Sequence, residues 1–158
     1  MNHRITWDVH PQIVSGRDCD GCTLCCRVMR VPEIHKPQWE LCPDCEAGAG
    51  CRIYMTRPGE CEEFLCGYRT RESLPERWHP KICHMVIQIS RDDRTVDVYV
   101  DPDFPDSWRA EPYLTDLRER ARQWGRVVVH LPGQAMLVLP DRVEILKTGE
   151  GSNSLFAG

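Results

Sequence analysis

The chain lacks the long apolar runs that secretion and membrane insertion require. Its first residues, MNHRITWDVHPQIV, contain no apolar core of the roughly 7–15 residues that a signal peptide needs. No later stretch approaches the roughly 18 consecutive apolar residues of a membrane span. We therefore expect a cytoplasmic protein with no membrane partner, in a compartment that keeps thiols reduced.

Basic tracts and recognisable catalytic motifs are also missing. The 20 Lys and Arg residues are scattered, the formal net charge is -4 and the sequence pI is ≈ 5.9. A nucleic-acid interface usually shows a basic patch or a pI above about 9, so the sequence indicates no nucleic-acid partner. It contains no glycine-rich phosphate loop, no nucleophile elbow and no internal repeat. We therefore expect no catalysis from these motif classes.

Cysteine is what the chain has in excess. Of its 10 Cys residues, all but Cys83 fall between Cys19 and Cys66. That stretch is rich in Gly and Pro and poor in apolar runs, so it cannot offset its conformational entropy without a cross-link. Disulfide frameworks belong mainly to short secreted chains, which makes bound metal the expected substitute.

The spacing of the cysteines predicts tetrahedral zinc sites. Cys19/Cys22 and Cys42/Cys45 form two C-x2-C pairs, and each tight turn can aim both sulfurs at one ion. Adjacent side chains point apart, so Cys25 and Cys26 are expected to serve different ions or different corners of a cluster. Two zinc ions need eight ligands, and the candidate ligands are Cys19, Cys22, Cys25, Cys26, Cys42, Cys45, Cys51, Cys61 and Cys66.

An iron–sulfur cluster is the alternative cofactor. Cys19-x2-Cys22-x2-Cys25 matches the opening of the bacterial ferredoxin run, and Cys42 is followed by Pro as the last cysteine of that run is. The ferredoxin run places its fourth cysteine three residues after the third, which this chain does not do. The spacing therefore leaves zinc, iron and an iron–sulfur cluster open, with zinc preferred.

Other side chains near the cysteines have two interpretations each. Cys83 is expected to be a small buried residue, but Cys83-His84 also offers two donors near the cluster, and His35 is a weaker candidate. Five arginines could offset thiolate charge or simply be solvated: Arg17, Arg27, Arg30, Arg52 and Arg57.

The rest of the chain predicts a small α+β domain. Residues 85–90, 95–100, 126–131, 135–139 and 142–146 have strand patterns, and residues 110–124 have a helical one. The predicted order is β-β-α-β-β-β, an antiparallel sheet with one main covering helix. A shorter helix is expected after Thr56, with Pro58 in its first turn and Gly67 at its end.

These patterns divide the chain into four parts. Residues 1–68 form an irregular cysteine-rich module with an N-terminal arm, and its motif occupies residues 19–66. Residues 69–84 form a polar connector with an apolar pin at Trp78. Residues 85–150 form the α+β domain, and residues 151–158 a flexible tail.

Two separated motifs carry a family resemblance. CxxCxxCC at residues 19–26 and CxIYxxRPxxCxxFxC at residues 51–66 resemble the YkgJ family of bacterial cysteine-cluster proteins, described as a zinc- or iron-chelating domain. The resemblance covers roughly residues 16–68. It implies metal binding by seven cysteines, with Cys42 or Cys45 completing a set of eight: Cys19, Cys22, Cys25, Cys26, Cys51, Cys61 and Cys66.

The second motif also suggests local roles. Pro58 would start the helix that carries Cys61, and Arg57 would hydrogen-bond carbonyls or thiolates across the module. Tyr54 and Phe64 would be the module's small apolar core.

The preferred function is zinc chelation by cysteine thiolates, in a structural or chelating role without catalysis. The main alternative is an iron–sulfur protein in electron transfer, redox sensing or protein modification. The last of these is an analogy with a flagellin lysine methylase that has a similar cysteine cluster. A third possibility is an adaptor whose metal holds a surface for a protein partner.

Overall fold

A computed structural model of the chain describes residues 13–90 and 94–146. The N-terminal arm expected before residue 13 and the tail expected at residues 151–158 lie outside the described residues. Within the described ranges, no helix combines the length and the apolar character needed to cross a membrane.

A five-stranded sheet forms the C-terminal half. Its strands are β3 (Met85–Ile89), β4 (Thr95–Val100), β5 (Arg126–Leu131), β6 (Gln134–Val138) and β7 (Val143–Leu146), and they lie side by side in chain order. The strand segments are rich in Val, Ile and Leu, which favour a pleated, half-buried surface. The predicted order β-β-α-β-β-β is confirmed.

The prediction of an entirely antiparallel sheet is wrong at one pair of strands. Strands β4 and β5 run parallel, with Thr95 opposite Arg126 and Tyr99 opposite His130, whereas the other three pairs are antiparallel. The helix α5 (Tyr113–Trp124) connects the two parallel strands. A connection of this length returns the chain from the C-terminal end of β4 to the side of the sheet where β4 begins, which a tight hairpin cannot do.

Helix α5 covers one face of the sheet. Leu117 and Ala121 lie one turn apart on its buried side, and Gly125 ends the helix with a φ of 87°. This face forms the larger hydrophobic core, together with Trp78, Trp108 and alternate residues of the strands. The predicted apolar pin is confirmed, since Trp78 is fully buried and its indole N–H donates to Asp116.

The cysteine-rich segment consists of short elements joined by turns. They are α1 (Leu24–Val28), a two-stranded antiparallel ribbon of β1 (Cys45–Glu46) and β2 (Gly50–Cys51), α2 (Gly59–Glu63), α3 (Gly67–Thr70) and α4 (Pro80–Cys83). The opposite face of the sheet receives α1, whose Val28 and Met29 pack with Val86 and Tyr99. The two faces of one sheet therefore carry α5 and the cysteine-rich segment.

The helix predicted after Thr56 forms, but its end is not where it was expected. Pro58 is the N-cap of α2, the helix ends at Glu63, and Gly67 begins α3 rather than closing α2. The glycine is needed for packing at this position. A Cβ on Gly67 would lie 3.0 Å from Cγ2 and 3.1 Å from the backbone oxygen of Ile87.

We expect Gly67→Ala to lower the free energy of unfolding by about 1–3 kcal/mol, because the added methyl group meets strand backbone that cannot move aside. The matched control is Gly59→Ala, at the first residue of α2, where an added Cβ would meet only Glu33 Oε2 at 3.8 Å. Urea unfolding of both variants measures the difference. Equal stabilities would contradict the close-packing explanation for Gly67.

Candidate metal centre

The two C-x2-C pairs are built on hydrogen-bonded turns. The N–H of Cys22 donates to the Cys19 carbonyl at 2.6 Å, and the N–H of Cys45 donates to the Cys42 carbonyl at 3.0 Å. Helix α1 follows the first turn and carries Cys25 and Cys26. The N–H of Cys42 donates to the Cys26 carbonyl at 3.0 Å, so the second turn is tied to α1.

One group of thiols, the first thiol group, lines a cavity of about 30 Å³ between α1, α3 and α4. It consists of Cys19, Cys22, Cys25 and Cys66, and the rest of the lining is Asp18, Tyr68, Arg69, His79, Pro80 and Val86. Three members come from the CxxCxxC run, and Cys66 comes from the N-cap of α3. The fold therefore brings the far end of the predicted motif back to its beginning.

The remaining module cysteines form the second thiol group: Cys26, Cys42, Cys45, Cys51 and Cys61. Strand pairing places Cys45 opposite Cys51. The pKa of Cys61 is raised to about 11, mainly by burial and further by the nearby Cys26, Cys42 and Cys51. Burial and Cys26 raise the pKa of Cys45 to about 12. These mutual effects place the five thiols in one neighbourhood.

Cys25 and Cys26 mark the boundary between the two thiol groups. The Cys25 thiol lines the cavity, whereas Cys26 interacts with Cys45. The two thiols also contact each other, because a hydrogen bond with Cys25 is the largest cause that raises the pKa of Cys26, followed by burial. Adjacent cysteines thus belong to different groups that share one edge.

Neither thiol group is arranged as a finished coordination shell. Across residues 13–90 and 94–146, no three Cys, His, Asp or Glu side chains are grouped so that they could hold a metal ion. All ten cysteines are free thiols. The shared cavity and the mutual charge effects establish that the thiols are neighbours, which is a weaker condition than ligand geometry. The donor chemistry nevertheless fits a soft metal, because both groups consist of thiols alone.

Burial raises the pKa of two thiols of the first group to which the backbone also supplies hydrogen bonds, Cys66 and Cys22. It raises the pKa of Cys66 to about 11, although backbone hydrogen bonds from Tyr68 and Ile87 act in the opposite direction. The pKa of Cys22 is likewise raised by burial and lowered by a backbone hydrogen bond from Leu24. A hydrogen bond that lowers a thiol pKa stabilises the thiolate. The backbone is therefore already oriented to stabilise sulfur anions once a cation offsets the cost of burial.

Cys83 packs as a core residue. It is buried among the larger hydrophobic core, and its thiol donates to the carbonyls of Trp78 at 3.5 Å and Met85 at 3.4 Å. Burial raises its pKa to about 12. The ring of His84 stacks on Phe104 at 3.7 Å. His35 is the left-handed residue (φ 53°) that follows a short 3-10 turn.

Three of the five arginines considered either as partners of the thiolates or as solvated residues have other partners. Arg27 forms ion pairs with Asp101 at 3.0 Å and Asp103 at 2.6 Å, and Arg57 donates to the Tyr54 carbonyl at 2.7 Å. Arg17 donates to four backbone carbonyls after Cys66, those of Tyr68, Arg71, Glu72 and Leu74. Arg30 and Arg52 are exposed.

A buried cation near the thiols is Lys36, which sequence reasoning missed. Its side chain is buried, and Cys42, Cys26, Cys25 and Cys61 act on its charge. A lysine in a polar loop is ordinarily solvated, so nothing in the sequence pattern singles Lys36 out. The motif's expected apolar core is also half wrong. Phe64 packs against Val28 and its neighbours. Tyr54 instead lies at the surface, where it is 53% exposed and its ring contacts the Arg57 guanidinium.

A second polar feature that the sequence did not predict lies on the face of the sheet that receives α1. His130 Nε2 lies 2.8 Å from Asp97 Oδ1, and the His130 ring stacks on Tyr99 at 4.7 Å. The parallel register of β4 and β5 brings these residues together. No spacing along the chain could have revealed a pair that depends on strand order.

No protein-family model, curated protein or solved structure matches this chain.

Arg17 offers a test of how the cysteine-rich segment is anchored. We expect Arg17→Lys to lower the free energy of unfolding by about 1–3 kcal/mol, because an ammonium group cannot reach all four carbonyls and also stack on Tyr68. Arg52→Lys, at an exposed position, is the matched control and should be nearly neutral. Chemical denaturation compares them, and an equally small effect of both would rule out the anchoring role.

Proposed function

We propose that this protein is a zinc-binding protein in which two sets of cysteine thiolates each hold one ion. The zinc ions have a structural or chelating role, without catalysis by this chain. The observation that carries the proposal is the separation of Cys25 and Cys26 into different thiol groups. Such a separation is what two ions sharing one CxxCxxCC segment require.

The thiol groups supply enough ligands for two tetrahedral ions. The first group has the four cysteines Cys19, Cys22, Cys25 and Cys66. The second has five, so one of Cys42 and Cys45 is surplus to a four-ligand site. This distribution agrees with the eight-cysteine set that the resemblance to the YkgJ family implies. Four thiolates around Zn²⁺ are typical of structural zinc sites.

Zinc would supply the cross-link that the segment needs. Its elements are no longer than five residues and bury few large apolar side chains of their own. When bound, the ion holds the deprotonated thiols together and contributes its binding free energy to folding. The chain's own residues contribute the turns, the backbone donors beside Cys22 and Cys66, and the packing of α1 on the sheet.

An iron–sulfur cluster is the second candidate, because three members of the first thiol group follow the ferredoxin-like CxxCxxC spacing. The match to the ferredoxin run ends at the third cysteine, because the run's fourth cysteine follows three residues later, whereas this chain places Cys26 directly after Cys25. Zinc is therefore the better-supported metal for this site.

Metal stoichiometry tests the proposal. We expect the protein, purified without oxygen, to be colourless, to contain two zinc ions per chain and to contain no inorganic sulfide. Cys25→Ser and Cys26→Ser should each weaken the binding of one zinc ion and leave the binding of the other unchanged, since the two cysteines belong to different groups. Cys83→Ala is the control and should keep both ions. A brown protein containing sulfide would overturn zinc in favour of an iron–sulfur cluster.

Metal removal tests the structural role. Complete chelation should unfold the cysteine-rich segment and leave β4 and β5 protected, because their valines are buried under α5 in a core whose buried residues include none of the nine candidate ligands. Circular dichroism and amide hydrogen exchange measure the two parts separately. A spectrum and an exchange pattern that do not change after complete removal would exclude a structural role for the metal.

A further inference from the structure

A buried lysine lies beside the second thiol group and has no acidic partner among the residues that the structure describes. The side chain of Lys36 is only 3% exposed. Its backbone pairs with Val31 in an isolated antiparallel bridge, with both N–H···O distances at 3.0 Å. This tight turn sends the side chain back under α1, where Nζ donates to the carbonyl of Arg27 at 2.9 Å and to that of Met29.

These two hydrogen bonds leave the positive charge of Lys36 uncompensated. In the part of the chain that the structure describes, no carboxylate lies within ion-pair distance of its Nζ. Burying a charge without a partner is unfavourable. Burial lowers the pKa of Lys36, and the groups that act in the opposite direction, as thiolates, are Cys42, Cys26, Cys25 and Cys61. Three of them belong to the second thiol group, and Cys25 borders it.

We propose that Lys36 is the charge-compensating residue of the second thiol group and strengthens metal binding there. This inference rests on the proposed function, because it requires a metal at that group. One divalent ion with four thiolates carries a net charge of about minus two, and a buried ammonium beside it reduces that charge while the thiolates compensate the lysine. The ammonium group and the metal–thiolate site each lower the free-energy cost of burying the other's charge.

Among the described residues, the cations near the first thiol group are less enclosed, since Arg69, which lines its cavity, is only half-buried. Lys81 acts on the charge of Cys22 in this group, and its side chain is half exposed and donates to the Asp20 carbonyl at 2.7 Å. Solvent screens such a charge, whereas Lys36 acts in a desolvated environment. Removal of the Lys36 charge should therefore weaken metal binding at the second thiol group and not at the first.

A purely structural role for Lys36 must be separated from this electrostatic one. Its bonds to Arg27 and Met29 also cap the carbonyl end of α1, and loss of that cap would disturb both thiol groups, since α1 carries Cys25 and Cys26. Lys36→Gln keeps amide N–H donors but removes the charge. Lys36→Met removes both. Arg122→Gln, on the exposed side of α5, removes one positive charge elsewhere and is the control.

The experiment is a competition titration of the reduced full-length protein with Zn²⁺ and a chromophoric chelator. The Lys36 variants are made in three backgrounds: wild type, Cys25→Ser and Cys26→Ser. In the Cys25→Ser background, where the second group remains, Lys36→Gln and Lys36→Met should weaken binding about tenfold or more. In the Cys26→Ser background, where the first group remains, both should change binding less than about threefold, as should Arg122→Gln in every background.

The outcomes separate this inference from the proposed function. If the wild-type protein binds no zinc, the proposed function fails, and the inference about Lys36 fails with it. If wild type binds two ions and Lys36→Gln leaves both affinities unchanged, the inference fails while the proposed function stands. An equal loss in the Cys25→Ser and Cys26→Ser backgrounds, or a loss with Met but not with Gln, would assign Lys36 to capping α1 and overturn charge compensation.

Discussion

The packing of α1 on the sheet is the contact on which the cysteine-rich segment depends. Val28 and Met29 are its buried anchors, and they contact Val86 and Tyr99 on the face opposite α5. Cys25 and Cys26 lie within one turn of these anchors, so their positions follow from an ordinary hydrophobic contact. Because α1 is only five residues long, the sheet must supply the stability that a helix of this length lacks.

The basic side chains near the thiols have two different roles. Arg17 and Arg27 connect parts of the chain that are distant in sequence, through backbone carbonyls in one case and through Asp101 and Asp103 in the other. Arginine suits this work because its planar group donates several hydrogen bonds at once. Lys36 is instead buried beside the second thiol group, where the compact charge of an ammonium group fits. The arginines thus shape the fold, and Lys36 shapes the electrostatics of one thiol group.

Much of the C-terminal half could be predicted because its signals are local. Valine-rich strands and the spacing of Leu117 and Ala121 depend on residues a few positions apart. The parallel pairing of β4 and β5, the close approach of Gly67 to Ile87 and the contact of His130 with Asp97 depend on strand order in space. In the cysteine-rich segment the division of Cys25 and Cys26 between two thiol groups was predictable, whereas the hydrogen bond between their thiols was not. The grouping of Cys66 with Cys19 was not predictable either, because the intervening chain has no regular period.

The two thiol groups differ in how strongly the fold protects them. The first includes Cys19, which is exposed, and Lys81, which acts on the charge of its Cys22, is half exposed. The second includes the buried Cys45, lies beside the buried Lys36 and is closed by the pairing of Cys45 with Cys51. Desolvation strengthens electrostatic interactions, whereas exposure admits water and competing ligands. If both groups hold zinc, the first is the site at which metal can be exchanged and the second is the site that holds the fold. A chelating role and a structural role would then belong to different ions of one protein.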